Sequence, residues 1–448
     1  MNAQSELREI AEEILSSAEP GEEVEIYLGR GRETNIRVYE GDVEQFSSAE
    51  SAGGGVRVIR DGRQGLASCG SLDLDLLAEA LVEARDNAHF AEPDPYAGLV
   101  QPDGIEPADL DLWNEELAAF DTASKIELAI ELERLSLEAD PRITTCESAD
   151  YADAHVEGFV GSTAGVFAGS RKSSVDIVSS VLAADGGETQ TGFGFCVGRD
   201  LSILDPEQAA RDAAERAVRM LGATKPSSER LTVVFDPWVT ASLVGIIGGT
   251  LSGDAVVRGR SPFAERMGEQ VAASLITLTE DPTNPLATGA ALYDSEGLAT
   301  RRTELIRDGS LSAFLHNGWS ARRSGTESTG SATRGGGTPG VGCRALLLDE
   351  GTQTQAELIA GIDHGVLVQS VAGLHSGVNP VSGDFSTGAE GLRISNGELG
   401  EPLREFTIAS TLQRLLQDVV AVGNDTQWLP SSAAGVTLVV TGITMSGQ

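Results

Sequence analysis

Lysine is nearly missing from this chain. Of 448 residues 32 are basic, and only three of those are lysines: Lys125, Lys172 and Lys225. Against them stand 68 Asp and Glu, a formal net charge of −36. A surface of that sign repels a phosphate backbone, so nucleic-acid binding is not expected, although high salt would screen the repulsion. The acid is dispersed along the chain rather than gathered in a tail. Dispersed carboxylate with almost no lysine is the composition of a protein adapted to high internal salt; a GC-rich genome also favours Arg over Lys. Long apolar runs are missing too. None approaches the roughly 20 residues that span a bilayer, so no membrane segment is expected. The polar, acidic stretch from Met1 to Glu13 holds no signal-peptide core, and the expected location is cytoplasmic.

Cysteine and histidine are scarce. Cys69, Cys146, Cys196 and Cys343 lie far apart with no CxxC, which argues against a structural zinc site and for four free buried thiols. The histidines are His89, His155, His316, His364 and His375. A zinc-peptidase helix needs two histidines leaving one face with a glutamate nearby, and neither HExxH nor HExxxH occurs. No GxSxG elbow is present, and the Gly330–Gly340 run lacks the Gly-Lys-Ser/Thr ending of a phosphate loop, so a flexible loop is expected there.

What remains is a globular composition, 40% hydrophobic and 22% charged, in a chain too long for one ordinary core. Helices are expected around Leu7–Leu15, Leu74–Ala88, Ala123–Glu138, Glu207–Leu221 and Leu412–Val420, where apolar residues recur at helical spacing. Short alternating runs predict strands at Val24–Leu28, Asn35–Tyr39, Val43–Ser47 and Gly55–Ile59, then at Ile143–Tyr151, Ala154–Val160, Val166–Ser170, Ser173–Leu182 and Gln190–Val197. Glu92–Pro107, rich in Pro and polar residues, predicts a surface connection. The Gly, Pro and Ser of residues 222–229 mark the best boundary, dividing the chain into domains at 1–222 and 229–448. Both halves mix helices with antiparallel-looking strands, so the expected class is α+β, each domain having a mainly antiparallel sheet with flanking helices.

Two segments concentrate polar side chains among glycines. In Gly253–Ser261, Asp254 and Arg258 either bind an anion or carboxylate terminus, or form a buried structural pair. In Gly373–Phe385, His375, Asn379 and Asp384 either present polar groups in a site or serve tight turns and caps. A triad of His375 and Asp384 with Ser376 or Ser382 would need a geometry that spacing does not supply.

These same stretches carry a resemblance. Leu251–Val271, Asp294–Arg302, Ser328–Arg334 and Ser376–Ser386, with Gly53–Val58 and Gly65–Ser68 in the first half, are similar in order and content to the signatures of the TldD/PmbA family, on its TldE/PmbA branch. The resemblance spans essentially the whole chain and implies a two-domain fold. TldD-type members of that family resemble zinc metallopeptidases with a HExxxH helix just before the Gly-Asp that matches Gly253-Asp254, and a late cysteine ligand. Here that helix segment reads Val244-Gly-Ile-Ile-Gly-Gly249, and no cysteine follows Cys343. The resemblance therefore implies a subunit with no catalytic or metal residues of its own, partnered by a TldD-type subunit that holds zinc, with extended peptides as substrates. Asp254, Arg258, His375, Asn379 and Asp384 are its candidate peptide-site or partner-site residues. Two other readings compete: a peptidase active alone through a site near His375, and a non-enzymatic binding protein of the gyrase-modulator type.

Overall fold

The computed structural model describes residues 3–448; the side chain of His375 lies outside the described set. Helix α1 (Ala3–Ser16) buries Leu7, Ala11 and Ile14. It packs on an antiparallel sheet made of β1 (Glu23–Tyr39), β2 (Asp42–Arg60), β3 (Arg63–Cys69), β4 (Ile143–Ser162), β5 (Phe167–Asp185) and β6 (Glu188–Gly198), in the order β3-β2-β1-β4-β5-β6. Helices α2 (Leu74–Phe90), α3 (Glu115–Ala118), α4 (Thr122–Glu138) and α5 (Pro206–Arg219) complete this half. Their starts follow from the sequence: Asp73, Asn114, Asp121 and Asp205 each accept a backbone N–H of the first turn.

The strands are far longer than the short runs predict. The first four runs fuse into the hairpin β1–β2, and the next four into β4 and β5. The reason is what covers the sheet. At about 3.3 Å per residue, the 17 residues of β1 extend roughly 55 Å. Helices α1 and α2 cover one end, over Val24, Ile26, Val56 and Val58. Helices α4 and α5 cover the other, over Ile36, Val38, Tyr151 and Ile177. Gly29–Glu33 belong to neither core, so a polar stretch sits mid-strand and reads as a break. On β6, Gly192 and Gly194 let the buried alanines of α5 lie directly on the backbone; a Cβ at Gly194 would collide with the Ala209 carbonyl.

Residues 229–448 form a second assembly. β7 (Glu229–Phe235) pairs in parallel with His364–Ala372; the other strands of its sheet are antiparallel. The sheet runs Glu398–Thr411, Asp384–Ser395, His364–Ala372, β7, Leu438–Ser446 and Val419–Val422, and Leu438–Ser446 also pairs with Glu398–Thr411, so the sheet closes on itself. The helix expected over Leu412–Val420 ends at Gln417, and Val419 begins a strand. Helix α6 (Pro237–Thr250) follows β7, then α7 (Gly253–Val257) and α8 (Gly318–Ser324). Val233, Phe235, Leu243, Ile247, Phe406 and Ile408 lie in its core. The architecture is α+β. Among the described residues no helix is long and apolar enough to cross a membrane.

The two halves hold each other closely. Trp238 of α6 packs edge-on to Phe193 at 4.9 Å and against Phe195 at 5.3 Å, both on β6. The connection around Glu92–Pro107 is irregular, as its prolines predict, but it is strapped down rather than loose. Leu99 and Val100 are buried, and the Arg322 guanidinium donates to the carbonyls of Tyr96 and Gly98, both at 2.8 Å.

Candidate functional site

Where the first sheet meets the second assembly, charges are buried. Glu25 on β1 accepts from Arg57 on β2 at 2.8 Å and from Arg334 of the second half, and all three side chains are nearly inaccessible. Arg57 also faces Glu296 at 3.8 Å. Glu296 accepts the Gly318 N–H at the start of α8 at 2.7 Å, while its other oxygen has no hydrogen bond. Burial, reinforced by Asp294, pushes the Glu296 carboxyl up to about 7 despite Arg57. Asp294 is saturated by backbone donors from Glu296, Leu298 and Ala332.

A cavity opens on each side of this network. One, of about 420 Å³, is lined by Arg57, Asp94, Asp254, Arg258, Trp319 and Arg322. Asp254 and Arg258 were expected as an anion site or a buried pair. They form an ion pair at 2.8 Å, Asp254 from the first turn of α7 and Arg258 from its C-cap, that stays partly exposed on the cavity wall. Arg258 stacks over Trp319 at 4.9 Å, and the Trp319 indole N–H donates to Asp94 at 2.6 Å. His316 lies against Gly253, where any Cβ would strike its ring, and its Nδ1 is 3.1 Å from Ser320 Oγ. Burial lowers its pKa.

The other cavity, about 450 Å³, is a cleft between β4–β5 and the second half. Lys172, Arg334 and Arg344 line it, facing an apolar wall that includes Tyr27, Leu28 and Phe159. Sequence reasoning did not bring these three cations together, because their meeting depends on the docking of the two halves.

The 373–385 segment is elsewhere, in the turn from His364–Ala372 to Asp384–Ser395. Asn379 accepts from Val381 and Ser382 N–H groups and donates its own N–H to the Asp384 carbonyl. Ser382 Oγ donates to the Asp384 carboxylate at 2.7 Å, and Ser376 Oγ to the Gly373 carbonyl at 3.2 Å. The polar side chains described in this turn cap its own backbone, and no hydrogen bond or ion pair among the described residues joins them to Asp254 or Arg258. The His375 side chain lies outside the described residues, so the triad has no described geometry.

Zinc is the metal the resemblance implies, and the residues of α6 do not fit it. Helix α6 starts at the N-cap Asp236, carries no His, Cys, Asp or Glu within Pro237–Thr250, and buries Val239, Leu243, Val244 and Ile247. At Gly248 it lies so close to Leu346 and Cys343 that a Cβ would clash. Among the described residues no three His, Cys, Asp or Glu side chains are grouped to hold a metal. All four cysteines are free; Cys146 and Cys196 are buried, Cys69 and Cys343 only partly so.

A second buried constellation also escaped the sequence reading. Lys125 of α4 pairs with Asp153 of β4 at 2.5 Å, Tyr151 donates to the same carboxylate at 2.8 Å, and His155 stands beside it with neither ring nitrogen hydrogen-bonded. A lysine on the helix and an aspartate on the strand give no local signal of this contact.

Comparison with known proteins agrees with this architecture. Residues 24–88 match PmbA/TldA metallopeptidase domain 1, residues 115–221 its central domain and residues 228–447 its C-terminal domain. Metalloprotease PmbA of Escherichia coli O157:H7 is 30% identical over 92% of this chain and 89% of its own. The crystal structure of TldE from Thermococcus kodakarensis superposes with a TM-score of 0.89 at 26% identity, covering 99% of this chain and 100% of that one. A protein of Bacteroides thetaiotaomicron described as a modulator of DNA gyrase gives 0.87 at 25% identity, covering 99% of each chain. This chain belongs to the PmbA/TldD metallopeptidase family.

Proposed function

We propose that this chain is the metal-free subunit of a heteromeric PmbA/TldD-type zinc peptidase that acts on unfolded peptides in the cytoplasm. The observation that carries this reading is α6. It lies just ahead of Gly253-Asp254, where the resemblance implies a metal-binding helix in TldD-type members, and every side chain it buries is apolar, threonine or proline. Hydrolysis would belong to the zinc of a TldD-type partner, which polarises the scissile carbonyl. This chain's residues would wall the chamber and hold substrate. On α6 Ser242, Gly245 and Ile246 are half-buried and Gly249 is exposed, and nothing lies within 4 Å of a Cβ at Gly249. Another backbone can approach closely there, which offsets the weak helix propensity of the glycines. Asp254 and Arg258 are proposed to face substrate or partner across their cavity, with Asn379 and Asp384 shaping a turn at the rim of the assembly.

The test is co-expression with the TldD-type protein of the same genome, followed by mass determination in solution at high salt. A stable heteromer of the two chains is expected. Two separate species, or a complex of this chain with some other protein that excludes the peptidase subunit, would contradict the reading.

A further inference from the structure

In a molecule with a net charge of −36, cations are expected to be matched by carboxylates wherever they meet. In the cleft between β4–β5 and the second half that matching is incomplete. Lys172, one of three lysines in the chain, is exposed on its wall and has no hydrogen-bond or ion-pair partner among the described residues. Arg344 donates through Nη2 to the Ala332 carbonyl at 2.7 Å and makes no ion pair; its buried Nε is without a hydrogen bond. Arg334 is more than nine-tenths buried. One Nη meets Glu25 and the Ser295 carbonyl and the guanidinium lies over the Tyr27 ring at 4.4 Å, while Nε and the other Nη have no hydrogen bond among the described residues. Asp294, the carboxylate on this wall, is already saturated by three backbone N–H groups. Partial desolvation of its ammonium within the cleft, with the like charges of Arg344 and Arg199 nearby, lowers the Lys172 pKa.

Unpaired, desolvated guanidinium N–H groups are costly unless something accepts from them. A planar oxyanion satisfies them with charge-assisted bonds, and the guanidinium fork suits a carboxylate. The rest of the cleft narrows the choice. Tyr27, Leu28, Phe159 and Leu292 form an apolar surface beside the cations, in a volume of about 450 Å³. That combination fits a carboxylate attached to an apolar side chain and an extended backbone, rather than a bare phosphate. We propose that this cleft is a subsite for the C-terminal carboxylate of a peptide, held by Lys172, Arg334 and Arg344 with the last side chain against the Tyr27–Phe159 wall. The cleft adjoins α6 through the segment carrying Arg344, since Cys343 and Leu346 are the residues against which Gly248 packs. Peptide bound here would thus be anchored by its end within the same assembly. The proposal rests on the peptide-handling reading above, to which it adds the end of the substrate that this chain recognises.

The experiment measures binding of a fluorescent, unstructured peptide with an apolar C-terminal residue, as free acid and as C-terminal amide, to the full chain and to its complex with the TldD-type partner. Inorganic phosphate serves as competitor, and Lys172→Gln as the variant. That lysine makes no hydrogen bond, so the variant keeps the fold, and an unchanged thermal midpoint verifies it. Removing one charge-assisted contact is expected to weaken the free acid about tenfold and leave the amide unchanged. In the wild type the acid should bind at least about tenfold tighter than the amide, with the preference shrinking as salt rises. Equal binding of acid and amide, while the complex still cleaves peptide, would overturn the subsite and leave the peptidase reading intact. Phosphate displacing the acid peptide at equal concentration would overturn the preference for a carboxylate. Failure of both peptides to bind either form, with no cleavage, would remove the peptide-handling reading and this proposal together.

Discussion

Glu296 shows how far a single residue here departs from its ordinary chemistry. Its carboxyl is fully enclosed, has one unsatisfied oxygen, and is pushed from 4.5 to about 7 by burial and by Asp294. A group that holds its proton more tightly folded than unfolded favours the folded state fully below about pH 4.5, and that contribution is lost as pH rises to about 7. Glu296→Gln keeps an acceptor for the Gly318 N–H and removes the titration. Denaturation of wild type and variant at several pH values should show the variant gaining about 2–3 kcal/mol relative to wild type between pH 4.5 and pH 8. A difference independent of pH would show that Glu296 is charged throughout, held by Arg57. Such residues were invisible in the sequence. Glu296 sits in a stretch, Asp294–Arg302, that the family resemblance marked, but its burial depends on Arg57 from β2, far earlier in the chain.

At the scale of elements, helices were legible and strand lengths were not. Apolar periodicity located α2, α4 and α5 to within a few residues, because that signal is local. The strands appeared in pieces because a long sheet under two separate helical layers carries a polar middle, and periodicity alone reads that as a loop. The contact between α5 and β6 was also hidden. Its buried alanines looked like ordinary helix formers until Gly192 and Gly194 were seen beneath them. Gly194→Val should lift α5 from the sheet, at a cost of about 3 kcal/mol, read as a lower midpoint in urea. An unchanged midpoint would mean that the sheet bends away and that the close approach is not needed.

For the whole molecule, the class and the family were legible because glycine and charge signatures recur in order along nearly the entire chain. The places where the halves meet were not. Trp238 on Phe193, the buried charges around Glu25, and the cleft of Lys172, Arg334 and Arg344 all join residues distant in sequence. Of the five candidate residues, Asp254 and Arg258 line a cavity at that junction, whereas Asn379 and Asp384 serve their own turn. HExxxH is absent from the sequence, and α6, just ahead of Gly253-Asp254, buries apolar side chains. We propose that this chain shapes a peptidase without holding its metal. The direct measurement is zinc content and cleavage of an unfolded peptide, in high salt, for this chain alone and mixed with its TldD-type partner. Zinc and cleavage are expected only in the mixture. Stoichiometric zinc or cleavage by the purified chain alone would contradict the proposal.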